Sequence, residues 1–154
     1  KKLYRDFLDI DEEIEKEFGI PTTEIFVKLG EKVFREKEKE IITTLSEQPL
    51  HVISVGGGAF MQEEIRKACL ANCLVIYLDL SWENWKERMR LIIDSRPVLQ
   101  NKSMDEIEEL FYKRQEAYAL HHSKISTDNL NEEEAAAYIV DSLKITWDLH
   151  EPRS

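Results

Sequence analysis

The chain has 154 residues, 42% of them hydrophobic, with 21 Lys and Arg against 31 Asp and Glu, for a formal net charge of −10. That length and apolar content suit a single domain, residues 1–154, with a real core, and exclude a wholly disordered chain. No apolar run approaches the ~18 residues of a membrane span, the charged start is unlike a secretory signal, and an acidic chain has no broad footprint for nucleic acid. Any anion site must therefore draw on a few identifiable arginines or lysines. The two cysteines, Cys69 and Cys73, follow an apolar helical pattern without zinc-ligand spacing, and read as buried thiols in a reducing, cytoplasmic setting.

In chain order, Tyr4–Asp9 predicts a short strand and Glu12–Phe18 a helix stopped by Gly19. Thr22 or Thr23 is expected to cap a short helix over Glu24–Leu29, and Glu31–Ser46 carries an apolar stripe through Val33, Phe34, Ile41, Ile42 and Leu45. Leu50–Val55 reads as a buried strand running into Gly56-Gly57-Gly58. A helix follows over Met61–Leu70. Leu74–Leu80 is the most continuous apolar strand, as expected deep in a parallel sheet. Asp79 or Ser81 is placed to cap a helix over Trp82–Ile93. A polar segment holds Arg96-Pro97, and Ser103-Met104-Asp105-Glu106 reads as a capping box opening a helix to His121. Lys124–Thr127 is a strand, Asn131–Trp147 the last helix, and the terminal EPRS is expected to fray. Strands alternating with helices predict an α/β fold with a mainly parallel sheet.

Ligands of such sheets sit beyond the carboxyl ends of the strands. Asp9 and Asp11 follow the first strand, where one can approach a metal while the other accepts from a hydroxyl; Asp11 is equally placed to cap the next helix. The glycine triplet ends the second strand, and three glycines in a chain with five favour a ligand loop over a tight turn. Arg35 and Glu38 share one helix face and admit the reading of a surface pair. Arg96 is a loop arginine and Arg114 a mid-helix one, each carrying little alone.

Taken in order, FLDID, GIPTTEIFVKLGEKVFREKEKE, VISVGGGA, SRPVL and YKRQEAY resemble the shikimate kinase family from Phe7 to Asn129. The resemblance implies a three-layer, P-loop nucleoside-monophosphate-kinase-like fold that moves the γ-phosphoryl group of ATP to the 3-hydroxyl of shikimate with Mg²⁺. It implies that Asp9 lies near Mg²⁺ through water and that Asp11 binds shikimate and orients or deprotonates the attacking hydroxyl. Arg35 and Arg114 then hold the carboxylate, beside Gly56, Gly57 and Gly58, and Glu38 braces the site. Arg96 becomes the arginine of a lid, residues 88–102, that swings to the phosphates, and Arg88 an arginine near the adenine. The partners implied are shikimate and ATP, with no nucleic acid and no membrane, and a monomer in the cytoplasm.

The family carries a strand, a G-x-x-x-x-G-K-[ST] loop and a helix ahead of FLDID, and none of these 154 residues matches that motif. The expectation is an N-terminally incomplete domain without its first, central strand. It should retain shikimate contacts, bind ATP poorly and show a gap between the GGG strand and LVIYLDL. The alternatives are a non-catalytic binding or regulatory relative and a kinase for another polyol acid such as gluconate. The carboxylate grip together with the triplet favours shikimate.

Overall fold

A computed structural model describes residues 2–93 and 96–147, with side chains to residue 145. Its order is β1 (Asp6–Asp9), α1 (Ile10–Phe18), α2 (Thr22–Lys28), α3 (Glu31–Ser46), β2 (His51–Ser54), α4 (Glu63–Asn72), β3 (Ile76–Asp79), α5 (Trp82–Ile92), α6 (Met104–Tyr118), β4 (Ser123–Ser126) and α7 (Glu132–Trp147). Two 3₁₀ turns, Ala59–Met61 and Pro97–Leu99, interrupt the connections. The expected terminal fraying falls outside the described residues.

Local chemistry explains most boundaries. Asp9 is the N-cap of α1, its Oδ1 accepting from Glu12 N at 3.2 Å, so the helix begins two residues earlier than Glu12 and Asp11 is freed from capping. Gly19, at φ 70°, ends α1 in the left-handed conformation. The expected threonine cap of α2 is not made. Pro21 holds that position without a side-chain bond, while Thr22 gives both its N–H and its hydroxyl to Glu15 at 2.8 Å. Ser81 rather than Asp79 caps α5, and Ser103 with Glu106 forms the expected capping box of α6.

The mainly parallel sheet takes the form, among the described residues, of two parallel pairs, β1 with β2 and β3 with β4. No ladder joins β2 to β3. The expectation that LVIYLDL lies deep in a sheet is corrected accordingly: β3 has one hydrogen-bonded neighbour, and Leu78 is 56% exposed. The larger core gathers Ile10 and Ile14 of α1, Ile25 of α2, Phe34 and Ile42 of α3 and Ile65 of α4. Each such buried side chain contributes about 1.5–3 kcal/mol. A second cluster joins Met89, Leu99 and Ile107 under Trp82 and Trp85. Cys69 is buried but Cys73 only half-buried, so one of the two expected buried thiols is in place.

Candidate active site

The carboxyl ends of β1 and β2 lie side by side, with Asp9 paired to Ser54. That register brings Asp11, at the start of α1, next to the glycine triplet. A cavity of about 190 Å³ opens there, walled by α1, α3, the triplet, the Pro97–Leu99 turn and α6. Asp11, Arg35, Glu38, Arg96 and Arg114 all line it, together with Gly56, Gly57 and Gly58.

None of the three glycines has a positive φ, which removes the tight-turn explanation. Close approach is the reason for them. A Cβ on Gly56 would lie 3.4 Å from Asp11 Oδ1, one on Gly57 2.7 Å from Arg114 Nη1, and one on Gly58 2.7 Å from Arg35 Nη1. The triplet is the floor against which the three polar side chains rest.

Arg35 is held from two sides along its own helix, Nη1 donating to Glu38 Oε1 at 2.9 Å and Nε to Glu31 Oε1 at 3.4 Å. The surface-pair reading fails, because the Arg35 side chain is 20% exposed and that of Glu38 1%. Burial pushes the Glu38 carboxyl above its ordinary pKa, against the pull of Arg35. Arg114 enters from α6. Burial lowers its pKa, and the nearby charge of Arg35 adds to that. Its Nε is buried without a hydrogen-bond partner. The guanidinium groups of Arg35 and Arg114 thus face the same cavity as Arg96, and Arg114 has a donor to spare.

Asp11 receives Arg96 Nη1 on its Oδ2 at 3.1 Å. Burial raises its pKa, Arg96 opposes this, and Asp9 adds to it. Arg96 is the more exposed partner, at 46% against 25% for the side chains, and follows residues 94 and 95, which lie outside the described residues. The expected lid, 88–102, is therefore described only in part.

Two predicted residues stand apart from the cavity. Asp9 is occupied with its cap, and no group of three metal-capable side chains exists among the described residues. Arg88 is exposed on α5, where its charge helps lower the pKa of Asp128, whose main cause is the N–H of Ser81. Tyr118 and Gln62 join the site without having been singled out from the sequence. The Tyr118 hydroxyl donates to the Gly57 carbonyl, and Gln62 Nε2 donates to Glu38 Oε1 at 2.9 Å. Tyr118 stands four residues after Arg114, the one signal that placed it on the same helix face.

A family model described as shikimate kinase matches residues 1–144. The shikimate kinase of Bacillus subtilis strain 168 is 58% identical over 153 residues, covering 99% of this chain and 82% of that protein. That of Oceanobacillus iheyensis is 54% identical over 154 residues, covering 100% and 84%. Among solved structures, a shikimate kinase from Acinetobacter baumannii in complex with shikimate superposes with a TM-score of 0.83 at 30% identity, covering 95% of this chain and 82% of that one. One from Bacteroides thetaiotaomicron gives 0.81 at 28%, covering 96% and 86%. These likenesses support an α/β, P-loop kinase-like fold with parallel strands.

Proposed function

The chain belongs to the shikimate kinase family, and from that premise we infer how its own residues divide the work. It is an enzyme, a kinase that phosphorylates shikimate at the expense of ATP in the route to chorismate and the aromatic amino acids. The reading of the site rests on one observation above all: Arg35 and Arg114 face a single cavity floored by glycine, with Arg114 Nε unpartnered. A planar carboxylate is best gripped by guanidinium forks, so the pair holds the carboxylate of shikimate. Glu38 keeps Arg35 extended into the cavity.

Asp11 lies on the same cavity wall and orients the 3-hydroxyl. As the hydroxyl oxygen attacks the γ-phosphorus, its proton passes to the Asp11 carboxylate. The bond from the γ-phosphorus to the bridging oxygen breaks, and ADP leaves with the electron pair. The raised pKa of Asp11 suits it to accept that proton. Arg96 neutralises Asp11 in this structure. With both substrates present it turns to the phosphates, where charge is spread in the transition state. The segment 88–102 carrying it acts as the lid that excludes water.

Mg²⁺ supplies further neutralisation of the phosphates when bound. Such an ion keeps several waters and needs only one or two carboxylates, so Asp9, as a water-mediated neighbour at the end of β1, fits the donor set. Arg88 is the residue assigned to the adenine side. No residue among these 154 matches the G-x-x-x-x-G-K-[ST] cradle, and apart from Arg96 no phosphate contact is assigned to any of them. A monomer working in the cytoplasm completes the proposal.

The test is ATP-dependent phosphorylation of shikimate by the complete gene product. Asp11→Asn should lower kcat by about 10²-fold or more, with shikimate still bound. Turnover close to wild type in Asp11→Asn would remove Asp11 from the proton-accepting role.

A further inference from the structure

Helix α4 starts at an unusual residue. Its N-cap is Gln62, at φ −83° and ψ 117°, and the side chain makes no capping bond. Ser, Thr, Asp and Asn are favoured there because a short side chain reaches back to the first free N–H groups. Gln62 instead spans to α3, where Nε2 donates to Glu38 Oε1 at 2.9 Å and to the Arg35 carbonyl at 3.4 Å. The helix start forgoes its own cap for a contact 24 residues back in the chain.

The partner reached is telling. Glu38 Oε1 accepts from Arg35 Nη1 and Gln62 Nε2, both at 2.9 Å, in a place where the side chain is 1% exposed. At that burial the carboxylate depends on donors from the protein, and a buried acceptor left short of donors is costly. Gln62 also ends the short turn that begins at Gly58, its N–H donating to the Ala59 carbonyl at 3.0 Å. One residue, through its backbone N–H on one side and its side chain on the other, thus ties the turn after the glycine floor to the helix that carries Arg35.

We propose that Gln62 is a positioning residue for the acceptor site: by fixing the Glu38 carboxylate and the backbone at Arg35, it sets the direction of the Arg35 guanidinium and hence the affinity for the shikimate carboxylate. The proposal rests on the assignment of Arg35 to that carboxylate. Because the carboxylate is remote from the reacting hydroxyl, the contact is equal in ground and transition states, and its loss appears in KM rather than kcat.

Three variants test it. Gln62→Met keeps the volume and removes the donor, Gln62→Lys keeps a donor toward Glu38, and Gln62→Glu sets a second carboxylate against it. The complete gene product is assayed for kcat, for KM of each substrate, for shikimate binding by tryptophan fluorescence (Trp85 lines the cavity) and for Tm. Gln62→Met should raise the KM for shikimate about tenfold, with kcat and the KM for ATP within about twofold. Gln62→Lys should restore most of the affinity, and Gln62→Glu should be the weakest binder. In a Glu38→Gln background the Met substitution should add less than twofold. An unchanged shikimate KM in Gln62→Met, or an equal loss in kcat and both KM values, overturns the proposal. If the Met variant fails to fold, the order of Lys over Glu decides, and equal affinities there overturn it as well. A wild-type protein that does not bind shikimate would instead overturn the site reading beneath it.

Discussion

Gly58 sits at φ −89° and ψ −12°, a conformation open to any residue. Its lack of a side chain matters only because the Arg35 guanidinium occupies the space a Cβ would need, with Nη1 at 2.7 Å. An arginine tip normally swings aside at small cost, but this one is fixed by the buried Glu38. Gly58→Ala should therefore lower Tm, because Arg35 is pushed off the buried Glu38, and raise the KM for shikimate at least about tenfold, the scale of one charge-assisted bond lost from binding. Steady-state kinetics with a melting curve checks it, and an unaltered KM would show that Arg35 has another resting place. Asp11, Arg35, Arg114 and the triplet were legible because each stands in a motif whose order resembles a known family. Gln62 and Tyr118 were not, since their partners Glu38 and Gly57 lie 24 and 61 residues away, and the only local signal is the four-residue spacing of Tyr118 from Arg114. The resemblance alone gave Asp9 and Asp11 different roles; in three dimensions Oδ1 of the first accepts the cap bond of α1 and the second faces the cavity.

Elements were readable where sequence-local chemistry decides them. Helix α3 runs over Glu31–Ser46 as its apolar stripe predicts, and the box Ser103…Glu106 opens α6. The 3₁₀ turn at Pro97–Leu99 was not foreseen. Leu99 is there buried in one cluster with Met89 and Ile107, and Pro97 stands at the start of the turn. Helix α6 carries Arg114 and Tyr118 about three and four turns beyond its cap, and Ile107, Phe111 and Ala117 bury its inner face. Removing the cap should thus loosen the first turn without shifting the register of the site residues. Ser103→Ala is expected to cost about 1 kcal/mol, a fall in Tm of about 2–4 °C in a domain of this size, while the KM for shikimate stays unchanged. Calorimetry paired with kinetics reads both, and a KM that rises with the loss of Tm would mean that the α6 register depends on its cap.

At the scale of the molecule, a chain of net charge −10 concentrates Arg35, Arg96 and Arg114 on one cavity and sets carboxylates among them. No single segment contains that site. It is assembled from α1, α3, the loop after β2, the Pro97–Leu99 turn and α6, so its geometry was legible only through the order of its motifs. The division of the strands into two parallel pairs, with no ladder between β2 and β3 among the described residues, does not follow from the alternation of elements; the gap between these two strands was expected only from the resemblance. Gathering carboxylates in a buried place has a cost to the fold. Burial raises the pKa of Asp11 more than Arg96 lowers it. A folded-state pKa above the unfolded one means that the native protein binds the proton more tightly, so the stability from this group is full below the unfolded pKa and is lost as pH rises through the folded value. At pH 7 the ionised Asp11 is therefore a net burden on the substrate-free protein, and Asn, which carries no charge, relieves it. Asp11→Asn should melt above wild type at pH 7, and the gap should close as pH falls below about 3.9, where unfolded aspartate is itself protonated. Melting curves across that range, taken without substrates, decide the matter. A lower Tm for Asp11→Asn at pH 7 would mean that the ion pair with Arg96 outweighs the burial of the carboxylate, and that this site is built at no expense to stability.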